Sequence, residues 1–150
     1  MRGTMKIKLE INPGYRELEI HVCHHADTEQ ARDACRLIRS ALDTNVMAYS
    51  DGQVIPVGSS DIIRIFTQNQ GVYVTTTEGV YRLRERLYEL EEKLDKTRFL
   101  RISNSEIVNL RRIQRMDTSL TGTVKMYLDG NIETYVSRRY VTRIKNALGI

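Results

Sequence analysis

From residue 45 onward, apolar runs of five to seven residues are each closed by a turn-forming pair, and this punctuation constrains the fold more than any other feature. The runs at 46–50, 53–57, 61–67 and 72–77 are broken by Asp51-Gly52, Gly58-Ser59-Ser60 and Glu78-Gly79. Glycine, asparagine and aspartate reach the angles that reverse a chain within two residues, whereas a parallel crossover needs on the order of a dozen. The segment therefore reads as antiparallel sheet. Strands are expected again at 110–116 and 123–128, and Asp129-Gly130 is a signal for a two-residue hairpin turn into 132–136.

Between Leu83 and Leu94 the apolar period lengthens, placing Leu83, Leu87, Leu90 and Leu94 on one stripe opposite Arg84, Glu85, Glu89, Glu91 and Glu92. At about three turns it is short for a zipper and reads as a helix covering a sheet. Short apolar pieces at 99–102 and 107–108 flank the polar cluster Ser103-Asn104-Ser105, and a basic, helical tail runs from 138 to 148. The first 43 residues are different. Two alternating segments, 6–11 and 16–23, flank Asn12-Pro13-Gly14, with Leu18, Ile20 and Val22 on one face, as in a hairpin. Asp27 or Thr28 then caps a helix to about Leu42, with Ala31, Ala34, Cys35, Ile38, Ala41 and Leu42 at helical spacing. The expected class is α+β, predominantly β: a small ββα appendage at 1–43, too small to stand alone, and a main domain at 44–150.

Composition narrows the function. The first ten residues, MRGTMKIKLE, lack the apolar run of a signal peptide, and no stretch approaches the roughly 20 apolar residues that span a bilayer, so the chain is expected in the cytoplasm. Cys23 and Cys35 are then reduced thiols. No glycine-rich phosphate loop, CxxC pair or HExxH helix is present, and neither an enzymatic role, a cofactor nor a small-molecule substrate is expected. Charge is uneven: residues 97–150 carry ten basic and four acidic side chains, while residues 1–44 hold seven of each. A local basic surface draws polyanions and releases their counterions, which points to nucleic acid.

Three polar clusters interrupt the apolar strands: Gln68-Asn69-Gln70, Arg101-Ile102-Ser103-Asn104-Ser105 and Ser137-Arg138-Arg139. Arginine forks onto guanine, asparagine and glutamine pair with adenine, and serine reaches phosphate. The run Phe99-Leu100-Arg101-Ile102-Ser103-Asn104-Ser105-Glu106-Ile107-Val108-Asn109-Leu110 closely resembles the signature of the LytTR family of bacterial DNA-binding domains. Val136-Ser137-Arg138-Arg139-Tyr140 resembles its closing motif, and Ile62-Ile63-Arg64-Ile65-Phe66 with Val72-Tyr73-Val74 its opening strands, so the likeness covers about residues 45–150.

The resemblance implies an elongated domain of small antiparallel sheets that lays loops into successive major grooves of duplex DNA and regulates transcription. It places base contacts at Asn104, Arg139 and, from the first loop, Gln70. Phosphate contacts are expected from Asn69, Arg101, Ser103, Ser105, Ser137, Arg138 and Arg143, while Tyr140 and Val141 pack and Asn109 satisfies buried backbone groups. Family members act on paired repeats, which implies a homodimer. The 44 or so residues before the LytTR-like region cannot hold a receiver domain, so the appendage is expected to dimerise or to meet a separate regulatory or membrane protein. Two alternatives compete. His21, Cys23 and His25 would share one face of a strand and suit a metal-sensing regulator. An RNA-binding module fits the charge, and would stack bases on Phe99, Tyr127, Tyr135 or Tyr140.

Overall fold

The computed structural model describes residues 6–16 and 18–150 and divides the chain into two units, Met1–Leu42 and Asp43–Ile150. In the first unit, Gly14 N–H donates to Asn12 Oδ1 at 2.8 Å and Tyr15 N–H to Asn12 O at 3.0 Å, so the Pro13-Gly14 turn forms. The ladder expected around it does not: residues 6–16 and 18–28 contain no strand. Ile7, Leu9 and Leu18 are more than four-fifths exposed. A two-stranded ribbon is marginal in water unless a third element covers its apolar face, and the face carrying Leu18, Ile20 and Val22 is exposed. Glu17, in the expected second strand, and residues 1–5, in the leader reading, lie outside the described residues. Helix α1, Glu29–Leu42, starts where Thr28 Oγ1 accepts Ala31 N–H at 3.3 Å, an N-cap contact.

The second unit is built from strands β1 (Asn45–Ser50), β2 (Gln53–Gly58), β3 (Ile62–Gln68), β4 (Gly71–Thr76) and β5 (Val80–Leu83), then helix α2 (Leu87–Lys93). Strands β6 (Phe99–Ser103), β7 (Glu106–Asn109), β8 (Ile113–Asp117), β9 (Val124–Leu128) and β10 (Ile132–Val136) follow, and α3 (Val141–Leu148) closes the chain. Seven strands form one antiparallel sheet in the order β2-β1-β5-β4-β3-β7-β6, and β10-β9-β8 form a second. Strand β5 replaces the start of the expected helix, so that Leu83 belongs to a strand rather than to the helical stripe. Leu83, Leu87, Leu90 and Leu94 are all buried in one cluster, but Leu83 reaches it from a strand paired with both β1 and β4.

Alternation along the central strands sends side chains to two cores. Ile65, Ile107 and Phe99 face α2 in the first, with Val46, Val74 and the leucines. Leu100, Ile102 and Val108 face the second, with Met126, Leu128, Val136 and Ile144 of α3. A bulge between Ile62 and Arg64 resets this alternation, so that Ile62 and Ile65 lie in the first core and Ile63 in the second. The central strands thus hold α2 on one face and the small sheet with α3 on the other.

Candidate nucleic-acid interface

Strand register gathers the polar clusters at one end of the large sheet. Gln68 pairs with Gly71, which leaves Asn69 and Gln70 as the tip of a two-residue turn. Both take left-handed angles, φ 48° and 63°, as in the turn whose twist matches a hairpin, and both are exposed. Strand β7 joins β3 through Phe66↔Glu106, and Thr67 N–H donates to Ser105 O at 2.8 Å. The Asn104-Ser105 turn therefore leaves the sheet at the same end. Ser137 N–H donates to Ile102 O at 2.8 Å, bringing residues 137–140 beside that turn.

Asn104 is exposed but held from two sides. Arg101 donates from Nε to Ser103 O at 2.8 Å and from Nη2 to Asn104 O at 2.6 Å, while its Nη1 meets Glu91 of α2 at 2.8 Å. Tyr140 Oη donates to Asn104 Oδ1 at 3.5 Å, at the limit of a hydrogen bond, and leaves the amide Nδ2 free to donate outward. The Arg139 guanidinium stands 5.6 Å from the Tyr140 ring, and Arg139 itself is exposed. Asn104, Tyr140 and Arg139 thus form one contiguous group, with an amide and a guanidinium at the surface.

Beneath the turn lies a buried ion pair. Glu106, 7% exposed, accepts from Arg64 Nη1 at 3.1 Å and from Thr134 Oγ1 of β10 at 2.5 Å. Arg64 in turn lies 4.4 Å over the Phe66 ring. One carboxylate thus joins β3, β7 and β10, the strands that carry all three polar segments.

Gln70, Asn104 and Arg139 are all exposed at this end, as are Asn69, Ser105, Ser137, Arg138 and Arg143, with Ser103 half-buried. Arg101 is where the structure departs from expectation. Its side chain is 15% exposed and its donors face inward, so it positions the turn rather than presenting charge to a phosphate. Arg143 lies 3.8 Å from Glu91 and stays half-exposed. Asn109 does what was expected of it: Nδ2 donates to Ile62 O at 2.8 Å and Oδ1 accepts Arg111 N–H at 3.0 Å. Sequence reasoning missed the linking roles of Tyr140, Glu91 and Glu106. The signal for Glu106 was a lone carboxylate inside an apolar strand.

Neither alternative gains a site. Among the described residues no three His, Cys, Asp or Glu side chains converge as a metal-binding group, and the strand that would have aligned His21, Cys23 and His25 is not formed. Of the aromatics an RNA platform would need, Phe99 is buried, Tyr127 is covered by Arg115 at 3.6 Å and Tyr140 is half-buried, which leaves Tyr135 alone exposed. No helix among the described residues is long and apolar enough to cross a membrane.

Fold and site together define a β-sheet domain that presents polar and basic turns at one end. The family described as the LytTr DNA-binding domain matches residues 52–149, and the chain belongs to it. A relative in Staphylococcus aureus strain NCTC 8325, named an uncharacterized HTH-type transcriptional regulator, is 34% identical over 97% of this chain and 99% of its own length. A relative of the same description in strain MRSA252 matches at the same identity and coverage. Among solved structures, a LytTr DNA-binding domain from Bacillus cereus superposes with a TM-score of 0.68 at 25% identity, over 71% of this chain and 98% of that one. In the present chain α2 and α3 are separated by five strands, so the matched region holds no helix–turn–helix among the described residues.

Proposed function

We propose that this chain is a sequence-specific regulator of transcription that acts in the cytoplasm, binds duplex DNA as a homodimer at paired promoter repeats, and inserts its turns into successive major grooves. The observation that carries this reading is the convergence of three polar turns at one end of the sheet, with Asn104 and Arg139 exposed and joined through Tyr140. Asn104 offers its amide to a base edge, Arg139 its fork to guanine, and Gln70 a second amide from the neighbouring turn. Asn69, Ser103, Ser105, Ser137, Arg138 and Arg143 meet phosphates and set the register on the duplex.

Gel shifts on duplexes selected from random sequence, with single-stranded DNA and RNA as competitors and salt varied, test the proposal. Duplex binding should survive both competitors. Asn104→Ala and Arg139→Ala should each relax preference at one base pair, by about 1–3 kcal/mol. Equal losses on every sequence would show that these two side chains do not read bases.

A further inference from the structure

Arginine recurs at every second position from the end of β5 onward: Arg82, Arg84 and Arg86. Leu83 and Leu87 enter the first core, so the three arginines alternate outward, and all three are exposed. Among the described residues none has an ion-pair partner. Two nearby carboxylates are already engaged, while Asp51 lines an adjoining depression with Arg82 and Arg84 without an ion pair to either. Glu85 meets Lys93 at 3.3 Å, and Glu89 Oε2 accepts the backbone N–H of Arg86 at 3.0 Å. Arg84 stacks 3.9 Å over Tyr49, which fixes its guanidinium plane while leaving its donors outward. The three line an open depression of about 310 Å³ together with Gln70, Gly71 and Glu85.

Register places this row at the end of the sheet that carries the three polar turns. Val72 pairs with Leu83, so β5 ends where β4 begins, and the chain leaves the sheet there through Arg84 and Arg86. Across the order β5-β4-β3-β7-β6, three to four strand spacings of about 4.8 Å separate the arginine row from the Asn104 turn, which joins β6 to β7, by about 14–19 Å. Measured along the duplex axis, that distance covers about four to six phosphates of one strand, at about 3.4 Å of rise each. A cluster of unpaired cations costs a fold self-repulsion and gives it no packing, which is accounted for if a polyanion neutralises it.

We propose that Arg82, Arg84 and Arg86 form a site for backbone phosphates of the bound duplex, beyond the base-reading turns and flanking Gln70. The site rests on the duplex-binding reading above and adds to it a patch that contributes affinity without sequence preference. It also explains how a region whose acidic side chains outnumber its basic ones, eight to six over residues 45–96, can face DNA. Glu85 and Glu91 are ion-paired and Glu89 accepts a backbone N–H at the start of α2, whereas Arg82, Arg84 and Arg86 have no ion-pair partner among the described residues.

The test compares the full chain with its Arg82→Gln/Arg86→Gln variant on a selected duplex and on a scrambled one, across a salt series. Arg84 is left in place because it packs on Tyr49. Each lost phosphate contact should lower the slope of log K against log salt by about 0.9, so the double variant should show a slope smaller by one to two units. Affinity at low salt should fall by the same factor on both duplexes, with the thermal midpoint unchanged. An unaltered slope and affinity, while Arg139→Ala still impairs binding, would overturn the site and leave the base-reading turns intact. A loss confined to the selected duplex would also overturn it, because the arginines would then be reading bases. A full chain that binds neither duplex at any salt would sink the duplex reading itself, and this site with it.

Discussion

Arg101 and Arg139 carry the same charge at the same end of the sheet, yet their surroundings give them opposite work. Arg139 has no ion-pair partner among the described residues and rests on the Tyr140 ring. Arg101 holds two backbone carbonyls of the Asn104 turn and the Glu91 carboxylate, so its planar fork is used as a bracket. A lysine keeps the charge but cannot reach three acceptors in fixed directions. Arg101→Lys should therefore loosen the turn and cost about 1–2 kcal/mol of discrimination at the base pair proposed for Asn104, while leaving the salt slope unchanged. Binding measured on selected and scrambled duplexes at several salt concentrations checks this. If the lysine variant binds as the parent does, Arg101 acts as a point charge on a phosphate after all.

At the scale of elements, the decisive joint is the one that Glu106 makes between β3, β7 and β10. Its side chain is 10% exposed and that of Arg64 23%, so removing the carboxylate would leave a buried guanidinium unpaired. Removal of one member of a buried pair typically costs about 3–5 kcal/mol, and Glu106→Ala should lose that much in urea unfolding. Glu106→Gln, which keeps an acceptor for Thr134, should lose less. A loss below about 1 kcal/mol for the alanine variant would mean that water already screens the pair.

Much of this architecture is legible in the sequence. Asp51-Gly52 makes a two-residue turn, whereas the loop at Asp129-Gly130 takes in Asn131 as a third residue at φ 57°, and 132–136 is the strand that follows. The polar segments were legible as interruptions of apolar strands. Leu83 was not, because a residue four places before Leu87 fits a helical stripe and a strand end equally well, and only pairing with β4 decides between them. The bracket at Arg101 was hidden for a related reason: its partner Glu91 lies ten residues away on another element. The N-terminal alternation was read as a hairpin, but a pattern states which face would be buried, not whether anything is there to bury it.

For the whole molecule, that uncovered face is the remaining problem. Unit Met1–Leu42 exposes Ile7, Leu9, Ile11 and Leu18, each more than 80%, and Leu37 on α1 at 71%. So many apolar side chains in 42 residues are better accounted for by a partner than by solvent, and a second copy of the chain would offer the same alternating segments for pairing. On this proposal the unit joins two DNA-binding domains, and the second repeat is bound at an effective concentration set by the link. Such linkage typically adds 10²- to 10⁴-fold in affinity without a new DNA contact. A chain lacking residues 1–42 should therefore run as a monomer in light scattering, bind a single repeat about as tightly as the full chain, and lose roughly 10²-fold or more on a paired repeat. The full chain should show about twice its 17.4 kDa mass. If the shortened chain keeps the paired-repeat advantage, dimer formation resides in the β domain, and the apolar segments of the first unit serve some other contact.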